Sequence, residues 1–410
     1  MTYRRAVIPA VFGGLLITLL MWWAGASAQA LQLRGSTSVL GIDSVNELRS
    51  WLAPWSYDAS TASVDPGAVG ATRYADLYRT AMQIRFVALF GVFVAGALLL
   101  IRRMPPTWGR TPALLLALWA WGPVACTLAV TLSAPWLLAS REHGSYRILP
   151  QLASVISSSG PVAVFAGLST AVLTVLVARV TVKGEAPLPR RAVPPRSARV
   201  AASVGTAVVA VSLVVLSHVS VAGRLQTSFS GRGLLSEPGD LLREWLLLGS
   251  WAGPSTAPLG DWLLYRAADL LTLAVVWWSL RLLPGLLTRI TVPAMAVGAV
   301  CAILLGLLAS ELLRTVADDT VTVWGPVHLF SGLGSNVPAA LTFGVLAGTA
   351  AFVALRLTGG VGDVDSGDRN GGDGNGGDVD SGDVDGGDGN AAKSPEPQIS
   401  PVSPVSPPQA

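Results

Sequence analysis

One constant spacing limits what this chain can fold into. Leu152, Ser154, Ser158, Pro161, Ala163, Gly167 and Arg179 recur, 177 positions later, as Leu329, Ser331, Ser335, Pro338, Ala340, Gly344 and Arg356. Seven identities at one offset are hard to attribute to apolar bias alone. Further upstream, Leu48-Arg49-Ser50-Trp51-Leu52 returns as Leu242-Arg243-Glu244-Trp245-Leu246, and Arg102, Pro105 and Arg110 return as Arg281, Pro284 and Arg289. The pattern predicts a unit written twice, which fixes architecture more firmly than activity.

The repeated unit is built for lipid. Of 410 residues, 51% are hydrophobic and 13% charged, against about 25% charged in soluble domains. Apolar runs long enough to cross a hydrocarbon core fall at 6–24, 84–102, 112–134, 160–180, 200–222, 263–283, 290–312 and 337–357. Each must satisfy its own backbone hydrogen bonds, so each is expected to be a helix. The expected fold is an all-α polytopic membrane protein with eight transmembrane helices in two tandem parallel four-helix repeats. Four crossings return the chain to its starting side, which gives the copies the same orientation. The organisation follows as residues 1–180 for the first repeat with an outside loop over 25–83, and 181–199 for a basic, Pro-rich linker. Residues 200–357 form the second repeat with an outside loop over 223–262, and 358–410 form a tail.

Charge supplies the orientation. The tail carries ten acidic residues against Arg369 and Lys393, a net of −8, which leaves +11 for the rest of a chain whose total is +3. Most of that excess lies at the N-terminus, in three short connections and at the end of the last span, so the positive-inside tendency places both termini in the cytoplasm. Arginine abundance with only two lysines suits a high-GC bacterial genome. Arg4-Arg5, an apolar run and Ala26-Ser27-Ala28 imitate a cleavable signal, but the run is long for one and occupies the place of the fifth span; retention is expected.

The outside loops carry amphipathic pieces. Ser44-Val45-Asn46-Glu47 has capping-box spacing, after which Val45, Leu48, Trp51, Leu52 and Trp55 share a helical face; Leu241, Leu242, Trp245 and Leu248 form the counterpart. Trp51, Trp55 and Trp245 are therefore expected at the membrane interface. The Gly/Asp-rich and then Pro/Ser-rich tail cannot bury enough surface to offset its conformational entropy and is expected to be disordered. Its aspartates lack the closing Glu and the regular loop of an EF-hand.

Three kinds of residue are candidates for function. Ser154, Ser158, Ser331 and Ser335 precede the prolines that open the fourth and eighth spans, where hydroxyls and paired helix N-termini would suit an anionic or strongly polar group. Gly167, Ala171, Gly344 and Gly348 form small-xxx-small patches for close helix packing, which places the fourth and eighth spans in the interior and against each other. Charges within or near spans are costly unless paired or hydrated; these are Arg85, Arg266, Asp269 and Glu311, with Arg266 and Asp269 three apart on one helix. The three histidines are scattered, and both cysteines lie inside spans, so no metal, cofactor or disulfide is expected.

No Gly-rich phosphate loop with Lys, HExxH or GxSxG occurs, and no basic stripe interleaves with aromatics, so nucleic acid is not an expected partner. The expected partners are the lipid bilayer and proteins docking on the outside helices or acidic tail. The leading expectation is a non-enzymatic, non-ATPase transport or translocation component for a small or amphiphilic solute in the cytoplasmic membrane. Its alternatives are an envelope scaffold and a lipid-acting enzyme. A transporter predicts a hydrated cavity between the repeats, and a scaffold a dry interior. The enzyme predicts ionisable groups such as Arg266, Asp269 and Glu311 converging in a pocket at the outer leaflet.

Overall fold

A computed structural model of the protein describes residues 3–30, 45, 48–49, 51–57, 71–104, 110–140, 149, 152–153, 155–156, 160–182, 194–227, 238–254, 258–317, 333–334 and 336–359. Ser154, Ser158, Ser331 and Ser335, most of the Pro-rich linker and the tail from residue 360 lie outside them. Among the described residues every element is helical: α1 (Tyr3–Ala30), α2 (Ala71–Arg103), α3 (Thr111–Ala139), α4 (Gly160–Val182), α5 (Pro195–Ala210), α6 (Val219–Thr227), α7 (Pro238–Leu246), α8 (Leu259–Leu286), α9 (Val292–Ala317) and α10 (Val337–Leu357). A 3-10 turn occupies Ala53–Trp55, and a π segment, Val211–Leu216, extends α5.

Eight of these helices are long and apolar enough to cross a membrane: α1 to α4, α5 with its π extension, α8, α9 and α10. The protein therefore has the build of a multi-pass membrane protein. Prolines stand at the first or second position of five of the eight, Pro112 in α3, Pro161 in α4, Pro195 in α5, Pro293 in α9 and Pro338 in α10, where a missing N–H costs nothing. Helix α2 begins at Ala71, well before the apolar run at 84, because its first turns bury Tyr78, Ala81 and Met82 while Asp76 and Arg79 remain exposed.

Packing follows one plan in each half. In the first, α1 packs on α2, α2 on α3, α3 on α4 and α4 back on α1; in the second, α5, α8, α9 and α10 close a ring in the same order. The halves meet chiefly through α3 and α9, where the Cys301 thiol lies 3.3 Å from the Ala117 carbonyl. At the end with the basic connections, Thr288 donates its N–H to Arg103 O at 2.9 Å. Helices α3 and α9 are consequently the most enclosed spans, 72% and 67% buried.

That finding corrects the expected position of the fourth and eighth spans. Helices α4 and α10 approach each other at their starts, where Gly160 lies against Gly334, but their small residues serve their own rings. A methyl group at Gly167 would stand 3.3 Å from Pro123 Cδ and from Trp119 O on α3. Pro123 has no N–H to return to Trp119, so the helix leaves that carbonyl free for close approach. Similarly, a methyl group at Gly344 would stand 2.6 Å from Val300 Cα, and one at Gly348 2.5 Å from Ala296 Cα, both on α9. Ala171 is fully buried. The small residues bring backbones together within a half, where lipid supplies no hydrophobic drive for association.

Candidate functional site: a polar cavity in the second helical ring

At the end of the bundle opposite the basic connections, the second ring opens into a cavity of about 550 Å³. Small-molecule sites occupy roughly 300–1,000 Å³. Leu213 of the π segment, Arg266, Asp269 and Thr272 of α8, and Leu307, Ser310, Glu311 and Arg314 of α9 form its wall, with Arg243, Glu244 and residues 247–252 beside it.

Local sequence explains the opening. The π segment gives Ser217 N–H to Ser212 O, five residues back, at 3.0 Å, and the Ser212 hydroxyl donates to Leu246 O at 2.6 Å. Widened turns of this kind cost regular hydrogen bonding and are frequent at functional sites. Segment 247–252 is fastened to this helix end: Trp251 N–H reaches Ser217 O at 2.9 Å, Val219 N–H reaches Trp251 O at 2.9 Å, and the Trp251 indole donates to Val214 O at 3.0 Å. Trp251 also meets His218 edge to face at 4.5 Å. The segment thus flanks the ring without filling it.

Charge pairs bridge the two principal walls. Arg266 Nη1 contacts Asp269 Oδ2 at 2.8 Å, Arg314 Nη2 reaches Asp269 Oδ1 at 3.6 Å, and Arg314 Nη1 contacts Glu311 Oε1 at 2.8 Å. Asp269 is therefore shared between α8 and α9. Both guanidinium groups lie over rings, Arg266 4.6 Å from the Trp251 centroid and Arg314 5.2 Å from that of Tyr265. Below them, Thr272 donates to Ala268 O at 3.1 Å and Gly306 O at 3.3 Å, while Ser310 donates to Leu307 O at 2.8 Å. Glu244 differs from the other acids: its Oε1 is buried without a protein donor, and burial pushes its pKa up to about 7 against the opposing pull of Arg243.

The first ring closes the corresponding mouth with its own chain. The turn Ala53–Trp55 enters between α1 and α2, with Trp55 fully buried and Trp51 only 8% exposed. These two tryptophans are core residues, which corrects their expected interfacial placement; Trp245 is half-buried against the core of the second half. Arg85, also fully buried, donates from Nε to Ser133 Oγ at 2.9 Å and from Nη1 to Pro54 O, 5.8 Å from the Trp55 centroid. No carboxylate pairs with it among the described residues. Tyr78 OH fastens the same turn by donating to Ser56 O at 2.6 Å.

Three of the sequence candidates, Arg266, Asp269 and Glu311, are brought together here. Arg314 and Glu244 complete the group, and sequence reasoning passed over both. The signal for Arg314 was present: Glu311-x-x-Arg314 mirrors Arg266-x-x-Asp269 with the charges reversed. Glu244 stood inside the repeated Trp segment, where Ser50 holds the same place in the first copy. Along the seam between the halves, the space bounded by Trp119, Ala120, Pro123, Leu304, Leu305, Leu308 and Leu333 is apolar and about 10 Å³, at the lower limit for one water. Among the described residues, no group of three or more His, Cys, Asp or Glu could hold a metal ion. No protein-family model, curated protein or solved structure matches the chain.

Proposed function

We propose that the protein is a non-ATPase transport or translocation component of a bacterial cytoplasmic membrane, and that its second half receives a small or amphiphilic solute from the outer side. Two tandem four-helix repeats of like orientation, with both termini cytoplasmic, are the architecture of this reading. Its support is the shared order of neighbours in the two rings and the basic residues at one end. The observation that carries the functional part is the 550 Å³ cavity, whose wall holds two arginines and two carboxylates at the membrane end of α8 and α9. Buried charge is costly, and these four groups border open space rather than a filled core, which favours a polar solute or its path. The entry point is thus inside one repeat, whereas the sequence placed it between repeats.

A lipid-acting enzyme is the second reading, favoured by the convergence of Arg266, Asp269, Glu311 and Glu244. A carboxyl group near pKa 7 is matched to proton transfer at neutral pH.

Thiol labelling separates these readings. Native Cys126 and Cys301 are buried and stay silent, so Gly249→Cys and Ala252→Cys, at partly exposed positions of the cavity lining, report the cavity with a membrane-impermeant maleimide. Translocation predicts labelling from either face as the site alternates. Labelling from the outer face alone supports a fixed site of the enzymatic kind, and no labelling from either face removes the cavity as a solute site.

A further inference from the structure

Resting on the reading that the cavity holds a solute, we propose that the group it accepts is an anionic phosphate, bound between Arg266 and Arg314. The inference begins with a count of donors. Two guanidinium groups offer ten N–H bonds in fixed planes. Their contacts with carboxylates run through Arg266 Nη1 and both terminal nitrogens of Arg314; both Nε–H groups are buried, and the partly exposed terminal nitrogens, each with two N–H bonds, are the donors that face the cavity. Asp269 is already divided between the two arginines, and Glu311 is engaged by Arg314. The Thr272 and Ser310 hydroxyls are committed to backbone carbonyls. Apart from Glu244, whose unpaired Oε1 is an acceptor that protonation turns into a donor, the carboxylates of the wall are engaged while guanidinium N–H bonds remain, so a ligand that completes it brings oxygen atoms.

The first half shows what such an oxygen does. There the inserted turn supplies Pro54 O to Arg85 beneath Trp55. In the second half an arginine again sits against a tryptophan of the outside segment, Arg266 against Trp251, but that segment stays at the rim and leaves space where the first half has chain. The ligand oxygen takes the part that the protein's own carbonyl plays in the closed mouth. Two arginines, each set against an aromatic ring, suit a phosphate whose two non-bridging oxygens share the negative charge, one for each guanidinium. The volume exceeds that of phosphate alone and leaves room for the group it is esterified to. A membrane lipid diester and a water-soluble phosphate share this chemistry; exposed Leu263 and Leu270 on α8 would lie along the chains of the first.

Glu244 gives the site a pH signature. Arg243 on its own helix is the charge that acts on it, and the other charged groups lining the same cavity are Arg266 and Asp269 on α8 and Glu311 and Arg314 on α9. Below its titration near pH 7 it is a neutral acid able to donate to a phosphate oxygen, and above it is a second negative charge in the same cavity.

The full-length protein in dodecyl maltoside tests this by native mass spectrometry with phosphatidylglycerol and phosphatidylcholine, and by calorimetry with inorganic phosphate. At least tenfold tighter retention of phosphatidylglycerol than of phosphatidylcholine supports a lipid source. Binding of inorganic phosphate without preference between the lipids supports a soluble one. Arg314→Gln is expected to weaken binding at least tenfold. Ser310→Trp, which fills the floor and leaves every charge in place, is expected to do the same in protein that still elutes as a single species. Equal retention of both lipids with no heat from phosphate overturns the proposal, as does undiminished binding in folded Ser310→Trp. Phosphatidylglycerol does not titrate between pH 6 and 8, so its retention should fall severalfold over that range and become flat in Glu244→Gln; a flat wild-type profile overturns the part given to Glu244. Failure here with Ala252→Cys still labelled sinks the phosphate assignment alone, whereas an unlabelled Ala252→Cys sinks the solute site itself.

Discussion

The mouths of the two helical rings carry similar parts in opposite states. Each half has an arginine on its second membrane helix, a tryptophan of the segment before that helix against the guanidinium, and a serine near the same end of its third, Ser133 in one and Ser310 in the other. In the first half Trp55 and the Pro54 carbonyl enter the ring, and Arg85 becomes a fully buried structural tie. In the second, residues 247–252 are fastened to the widened end of α5, and the arginines face a cavity. The difference teaches that an intramembrane arginine is not by itself a sign of function. Its meaning depends on whether the chain or a ligand supplies the opposing oxygen.

Three substitution experiments sharpen the contrast. The largest effect is expected from Trp55→Ala, which should cost about 3–5 kcal/mol because a fully buried indole leaves a void in a ring that cannot collapse. Trp251→Ala, at a half-exposed rim position, should cost less than half as much; comparable losses in thermal unfolding of the solubilised protein would erase the distinction between the mouths. Next comes pH. Glu244 has a folded-state pKa raised from 4.5 to about 7, so the folded protein binds the extra proton and the associated stability is fully present below pH 4.5. It is lost as pH rises through 7, by up to about 3 kcal/mol. The unfolding temperature should therefore fall from pH 5 to pH 8, and Glu244→Gln should remove most of that slope. The smallest effect separates the arginines. Arg85→Met strands the Pro54 carbonyl in a sealed mouth and should cost about 1–3 kcal/mol. Arg266→Met leaves Asp269 with Arg314 and nearby solvent, and should cost about 1 kcal/mol or less.

Much of the fold was legible from the residues. All eight apolar runs form helices long enough to span a membrane, because backbone groups in lipid have few alternatives and a run of about 20 apolar residues leaves little ambiguity. Helix ends were less legible: α2 extends upstream through polar residues that its buried Tyr78 face carries into the bundle. At the candidate site, Arg266 and Asp269 were readable as a local pair, since three residues on a helix share a face. Arg314 was not, because its partnership with Asp269 spans two helices and depends on how α8 and α9 are set against each other.

The chain by itself determined its solvent, its eight long helices and the small residues that allow close packing, since each is a property of local composition and spacing. Tertiary structure alone decided which helices are neighbours, that α3 and α9 form the seam, and that one tryptophan-bearing segment fills its ring while the other stands aside. The physical reason is that both segments have nearly the same amphipathic pattern, Leu48-Arg49-Ser50-Trp51-Leu52 and Leu242-Arg243-Glu244-Trp245-Leu246. What separates them is the hydrogen bonding each finds at its ring, Pro54 O to Arg85 in one and Leu246 O and Trp251 to the end of α5 in the other.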